Sequence, residues 1–160
     1  MKKKQKILSD LKNTGMVDIS AKDITRRVAV AQAIIQFQEK TFTKLLQRGS
    51  PKGDIFETAK VAGVMAAKST PQMIPMCHPL ELTKVNIRFR QDDALKQICV
   101  TAEVHCLGRT GVEMEALCAA SLAALTIYDM MKWADKSIAV TEVKLLEKLG
   151  GRSGHFRRGN

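Results

Sequence analysis

Aromatic residues are scarce in this chain: one Trp, one Tyr and five Phe among 160 residues, 4% in all. So few rings leave little platform for stacking bases, which weakens a nucleic-acid-binding reading. Cysteine is sparse too. Cys77, Cys99, Cys106 and Cys118 lie in apolar or strand-like segments without a C-x-x-C pair. His78, His105 and His155 do not join them at zinc-ligand spacings. Reduced structural thiols and no metal site are therefore expected. No uncharged run reaches the ~20 residues that span a bilayer. The N-terminal stretch MKKKQKILSDLKNTG offers only Ile7-Leu8 where a signal peptide needs an apolar core. A cytoplasmic protein is expected. Acidic side chains are outnumbered, 16 against 26 Lys and Arg, for a net charge of +10. That imbalance calls for an anionic partner: nucleic acid, a membrane surface or a phosphorylated small molecule.

What is present reads as one globular domain, with 45% apolar residues and no low-complexity tract or repeat. Residues 1–15 are expected to form a flexible basic arm, 16–156 the domain and 157–160 a tail. RVAVAQAIIQF (27–37) alternates loosely and is β-branched, as a strand should be. Glu39 to Gln47 places Phe42, Leu45 and Leu46 on one helical face closed by Gly49. Asp54 with Glu57 opens a second helix, with Ile55, Ala59, Ala62 and Ala66 inward, which must end before Pro71. Val85, Ile87 and Phe89 alternate with charged residues. Ile98, Val100, Ala102 and Val104 repeat the pattern after QDDALKQ, so the two runs form a hairpin. A long helix and a last strand, Ile138 to Leu146, complete the order. The expected class is α+β, ferredoxin-like, an antiparallel sheet with helices packed on one face.

The long helix is the most informative segment. Thr110-Gly-Val-Glu113 fits a capping box. From Ala116 to Tyr128 no residue is charged, and a helix apolar all round is buried in a core or against another subunit. This leaves more apolar surface than 160 residues hide, so an oligomer is expected. Asp129 then stands at the negative end of the helix dipole, where a carboxylate is disfavoured. Lys132, three residues on, shares its face. The pair is suited to proton transfer, and equally to an ordinary helix-end salt bridge. Three other clusters carry potential chemistry. Lys52-Gly53-Asp54 puts an amine ahead of a helix start, where anions are favoured. Pro75-Met76-Cys77-His78-Pro79 holds a histidine between prolines; Cys77 and His78, as neighbours in an extended segment, point apart and make a poor nucleophile–base pair. Lys148-Leu-Gly-Gly-Arg152-Ser-Gly154 is glycine-rich and basic but lacks the spacing of a nucleotide P-loop. It fits a closing loop over a polyanion or a simple tail.

Five segments, MVDISAK (16–22), KGDIFETAKVAGVMAAK (52–68), IPMCHPLELTKV (74–85), TGVEMEALCAASLAALTIYDMMK (110–132) and LLEKLGGRSG (145–154), occur in the order found in one family. Together they resemble the cyclic pyranopterin monophosphate synthases, the molybdenum cofactor biosynthesis protein C family. The resemblance covers roughly residues 16 to 156. It implies a lyase of molybdopterin synthesis with a ferredoxin-like fold. The family takes a cyclised GTP, 3′,8-cyclo-7,8-dihydro-GTP, made by a radical partner enzyme, and rearranges it to cyclic pyranopterin monophosphate with release of pyrophosphate. It also implies a hexamer, a trimer of dimers, with active sites at the dimer interface. No cofactor is implied beyond Mg²⁺ travelling with the triphosphate.

Carried over by position, the resemblance makes Asp129, Lys132 and Lys52 catalytic. Met76, Cys77, His78, Met114 and Glu115 become substrate-binding, with Glu113, Lys68 and Lys148 as charged residues lining the pocket. A lysine with its pKa lowered by burial or by nearby cations would serve as both acid and base near neutral pH. Two positions depart from the family pattern: Arg152 replaces a common lysine, and His155 a common aspartate. The competing reading is a non-catalytic, basic RNA-binding ferredoxin-like module. Against it, the strand RFR offers only Phe89 as a stacking surface.

Overall fold

Strand β1 (Thr25–Gln36) sits near the middle of the sheet and sets the pattern for the rest. Its side chains alternate, so Arg27, Ala29, Ala31, Ala33 and Ile35 are buried while Arg26 and Gln36 face outward. The computed structural model describes residues 15–152 and 154–159; apart from Gly15, the expected N-terminal arm lies outside them. After β1 come α1 (Glu39–Arg48), α2 (Ile55–Lys68), a short α3 (Thr70–Met73), β2 (Leu82–Asp92), β3 (Gln97–Gly108), α4 (Glu113–Met131), β4 (Ala139–Leu149) and β5 (Phe156–Arg157). The sheet order is β2-β3-β1-β4-β5, and every pairing is antiparallel. The expected ferredoxin-like α+β arrangement is the one found, with a fifth, two-residue strand added beside β4.

Helix α4 crosses over β1, β3 and β4. Ala116, Ala119, Ala120, Ala123 and Ala124 are all fully buried, and such short side chains let the helix lie close to its neighbours. Ile35, Ile98, Val100, Val104, Ile127 and Met131 fill the remaining space, each burial worth about 1.5–3 kcal/mol for a side chain of this size. By length and composition α4 would pass for a membrane span, but its buried alanine face makes it a core helix. The capping box does not form. The helix begins at Glu113 behind Val112, which supplies no side-chain cap, so Glu113 stands too early in the helix to close the box. Its carboxylate instead turns back into the space left free at Gly111.

Asp54 caps α2 as expected, accepting from Glu57 N–H at 2.9 Å. Pro71 follows the end of α2 and starts α3, where its missing N–H costs no hydrogen bond. The inward face of α2 is Ile55, Ala59, Gly63, Ala66 and Ala67, with Ala62 only half-buried. Gly63 is the point of closest approach to α4: a Cβ there would lie 3.0 Å from the Ala119 carbonyl oxygen and 3.1 Å from Ile87 Cδ1. Gly63→Ala would gain up to ~1 kcal/mol of helix propensity, while overpacking against backbone costs about 1–3 kcal/mol. The expected outcome is a net loss, seen as a lower urea midpoint. An unchanged midpoint would mean that the two helices can part freely.

Candidate active site

Ser50 builds the first half of the site. Its hydroxyl donates to the Met130 carbonyl at 2.7 Å and accepts from Lys52 N–H at 3.2 Å, fastening the turn before α2 to the end of α4. Gly53, at φ +109°, completes that turn in a conformation few other residues adopt. Lys52 Nζ is thereby 2.6 Å from Asp129 Oδ2, while Lys132 Nζ is 2.7 Å from Asp129 Oδ1. One carboxylate thus holds two ammonium groups. The hydrogen bond from Lys132, with that from Lys52, lowers the Asp129 pKa to about 2 despite the helix dipole. Lys132 shifts the other way: its bond to Asp129 raises its pKa. A lysine lowered by burial or nearby cations is not what Lys132 provides, because its side chain is half-exposed and bonded to the Asp129 carboxylate that it shares with Lys52.

The second half lies at the other end of α4. Met76, Cys77, His78, Glu113, Met114 and Glu115 line one pocket of about 290 Å³ with Leu80, Thr110 and Gly111. Six residues from two distant sequence blocks are thus brought together. Glu115 is 3% exposed, and burial raises its pKa; Glu113 adds to the rise and its own backbone N–H partly offsets it. Burial followed by the Glu115 charge also raises the Cys77 thiol, which keeps it protonated and unsuited to nucleophilic work. A carboxyl whose pKa rises on folding makes the native state less stable as pH climbs from the unfolded value through the folded one. Glu115→Gln is therefore expected to raise the melting temperature at pH 8 and not at pH 4, while weakening substrate binding about tenfold or more. An equal gain at both pH values would show that the Glu115 charge is not what burial penalises.

A larger cleft of about 570 Å³ adjoins this pocket and shares Thr110, Gly111 and Glu113 with it. Lys148 and Arg152 line it, beside Arg27. Lys68 lines neither cavity; it is exposed in the last turn of α2. Lys52 meets Asp129 and Gly63 meets Ala119, so α2 runs antiparallel to α4 and Lys68 points toward the Glu115 end. The two halves stay apart within the chain. Glu115 and Asp129 are 14 residues apart on α4, about 21 Å at the helical rise.

Residues 16–151 match the family model described as the MoaC family. The chain belongs to the MoaC family. Curated relatives include the cyclic pyranopterin monophosphate synthase of Syntrophomonas wolfei, 51% identical over 89% of this chain and 91% of its own length. Proteins of the same name from Magnetococcus marinus (50%; 89% and 88%) and Listeria monocytogenes (48%; 93% and 92%) are similarly close. The match takes in the Lys52–Asp129–Lys132 cluster and the Glu115 pocket alike, and stops just short of Arg152. His155 is 2.7 Å from Glu147 Oε1 on β4, so it pairs with a neighbouring carboxylate. Sequence reasoning missed Ser50 and Arg27. A serine before Pro-Lys-Gly reads as plain turn, and its bond to Met130 joins residues 80 positions apart. Arg27 was hidden by its place in an otherwise apolar strand.

Proposed function

We propose that this chain is a cyclic pyranopterin monophosphate synthase, a lyase of molybdenum cofactor biosynthesis. It acts on 3′,8-cyclo-7,8-dihydro-GTP and releases pyrophosphate. The observation that carries this reading is one stripe on α4. Met114, Cys118, Leu122, Leu125, Asp129 and Lys132 follow each other at spacings of three or four and so share a face. Chemistry stands at both ends of the stripe, and Leu122 and Leu125 between them are 36% and 50% exposed. Outward-facing Val61 and Met65 on α2 extend the apolar surface. A second copy packed antiparallel about a twofold axis near Leu122 would cover the leucines. The same operation would set Asp129, Lys132 and Lys52 of one copy against the Glu115 pocket of the other. The site is thus assembled at a dimer interface, and dimers of this kind build the expected hexamer.

In that assembly Met76, Cys77, His78, Met114 and Glu115 hold the substrate's fused rings. Glu113 and Lys148 face its charged end, with Lys68 nearby. Asp129 fixes Lys52 and Lys132, which exchange protons with the rings as bonds open and close. Closing the cyclic phosphate bonds a sugar hydroxyl oxygen to the α-phosphorus and breaks the α–β bridge. The electron pair leaves on pyrophosphate, where cations neutralise it. Mg²⁺ enters with the triphosphate as part of the substrate; among the described residues no three of His, Cys, Asp and Glu gather as a metal set. The substrate comes from a radical enzyme that bonds ribose C3′ to purine C8, and the work is done in the cytoplasm. The RNA-binding alternative loses its one stacking surface. Phe89 lies on the helix-covered side of the sheet, its ring centroid 5.1 Å from that of Phe56.

The deciding experiment is pyrophosphate release by the purified protein given the cyclised intermediate, with GTP as control. Turnover of the intermediate alone is expected. Binding without turnover would sink the lyase reading.

A further inference from the structure

Trp133 is the only tryptophan in the chain, and it directly follows Lys132. It stands four residues past Asp129, so it continues the face of α4 that carries Leu122, Leu125 and Asp129. The backbone there is fixed. Lys132 keeps helical angles, φ −59° and ψ −16°, and its N–H donates to the Tyr128 carbonyl at 2.8 Å. Ala134 N–H donates to the Met131 carbonyl at 2.9 Å, and the Asp135 carboxylate accepts from the Thr41 hydroxyl at 3.0 Å. Ala134 packs against the core, whereas Trp133 is 47% exposed. Lys44 Nζ lies 6.0 Å from the centroid of its ring, a cation–π contact that steadies the indole without covering it. A well-held backbone thus turns a large apolar ring outward. Tryptophan is among the residues most enriched where a second surface buries such a ring.

We propose that Trp133 of one copy closes the Glu115 pocket of the other and lies on the substrate's fused rings. The inference rests on the lyase reading and its antiparallel dimer, and adds a binding residue to that shared site. The twofold that sets Asp129 against Glu115 acts on the next turn as well. It carries Trp133, about 6 Å further along the axis, to the Thr110–Gly111 wall of the same pocket. The pocket has room for such a lid. Met76, Cys77, Leu80 and Met114 give it a soft apolar wall, and no Phe, Tyr or Trp lines it, although a flat fused-ring system has to be gripped there. Met76 is 46% exposed, much as Trp133 is. A thioether packs favourably against the edge of an aromatic ring, so the two residues cover each other. The indole then supplies the flat surface that the pocket lacks.

With a single tryptophan in the chain, selectively excited indole emission reads Trp133 alone. The test is iodide quenching of that emission in the full-length protein, Leu125→Asp and Met76→Ala, with turnover of cyclised GTP measured for wild type, Trp133→Ala and Trp133→Phe. Leu125→Asp separates the copies and is expected to raise the quenching constant about threefold or more, as an interface tryptophan becomes exposed. Met76→Ala should raise it about twofold while the mass found by light scattering stays that of the wild type. Trp133→Ala should raise KM about tenfold with kcat nearly unchanged, the effect of losing one stacked ring. Trp133→Phe keeps a ring and should restore KM to within about threefold of wild type. A merely structural tryptophan would lower the melting temperature and leave KM alone. Quenching unaltered in Leu125→Asp or in Met76→Ala, or KM unaltered in Trp133→Ala, overturns the proposal. Should Leu125→Asp not fold, Met76→Ala and Trp133→Ala decide. Normal turnover with KM unmoved in Trp133→Ala would remove Trp133 from the site and keep the lyase reading. Shielding of Trp133 that is lost in Met76→Ala, without turnover of cyclised GTP by the wild type, would keep Trp133 on the pocket and remove the lyase reading.

Discussion

Lys132→Ala is expected to remain folded and to lose turnover of cyclised GTP by roughly 10²- to 10⁴-fold, the contribution of one positioned acid or base. The fold should tolerate the change because the Lys132 side chain is half-exposed and leaves no cavity. Asp129→Asn should behave alike, since both lysines would lose the carboxylate that holds them. Lys132 starts as a proton donor, because its bond to Asp129 raises its pKa and keeps it charged at neutral pH. The Asp129 carboxyl, lowered from 3.8 to about 2, shifts the other way, so its stabilising contribution is present above the unfolded value and fades as pH falls toward 2. The cluster is therefore intact throughout the range in which an enzyme of this kind would be assayed. Turnover within a few-fold of wild type in Lys132→Ala would leave the three side chains as a surface ion pair and move the chemistry elsewhere.

Co-expression of Lys132→Ala with Glu115→Gln, assayed at substrate well below KM where each alone keeps about a tenth of wild-type turnover or less, is expected to recover about a quarter of it. In a twofold dimer with shared sites, random pairing makes half the dimers mixed, and each mixed dimer has one intact site of its two. The reason to expect this is distance. Glu115 and Asp129 share one straight helix about 21 Å apart, too far for both to touch the reacting part of one substrate. An antiparallel neighbour brings the two ends together without moving either. Leu125→Asp gives the companion measurement. A charge on the exposed leucine should lower the mass found by light scattering and abolish activity while circular dichroism stays native. Sedimentation as a monomer with full activity, or a mixture no better than its parts, would place the whole site within a single chain.

The sequence by itself determined the sheet and the helices. Period-two runs at Val28–Ile35, Val85–Phe89 and Ile98–Val104 could bury one face only as strands. The uncharged stretch Ala116–Tyr128 could be satisfied only as a covered helix. The resemblance carried by the motif blocks named the site residues, and the structure gathers six of them in one pocket and three in one ion-pair cluster. Tertiary structure decided what depends on neighbours distant in sequence. Ser50 reaches Met130, and a backbone acceptor leaves no trace in composition. The Lys132 pKa rises, because its sign depends on whether a carboxylate or apolar packing surrounds the amine. Thr110 and Glu113 follow the local capping pattern, yet packing starts the helix at Glu113 and spends that carboxylate on the space above Gly111. Arg27 shows the limit most clearly. Alternation assigns it to the inward face, but only the fold reveals that the core ends there and a cavity begins, with glycines pressed against the guanidinium and, among the described residues, no ion pair to an acid.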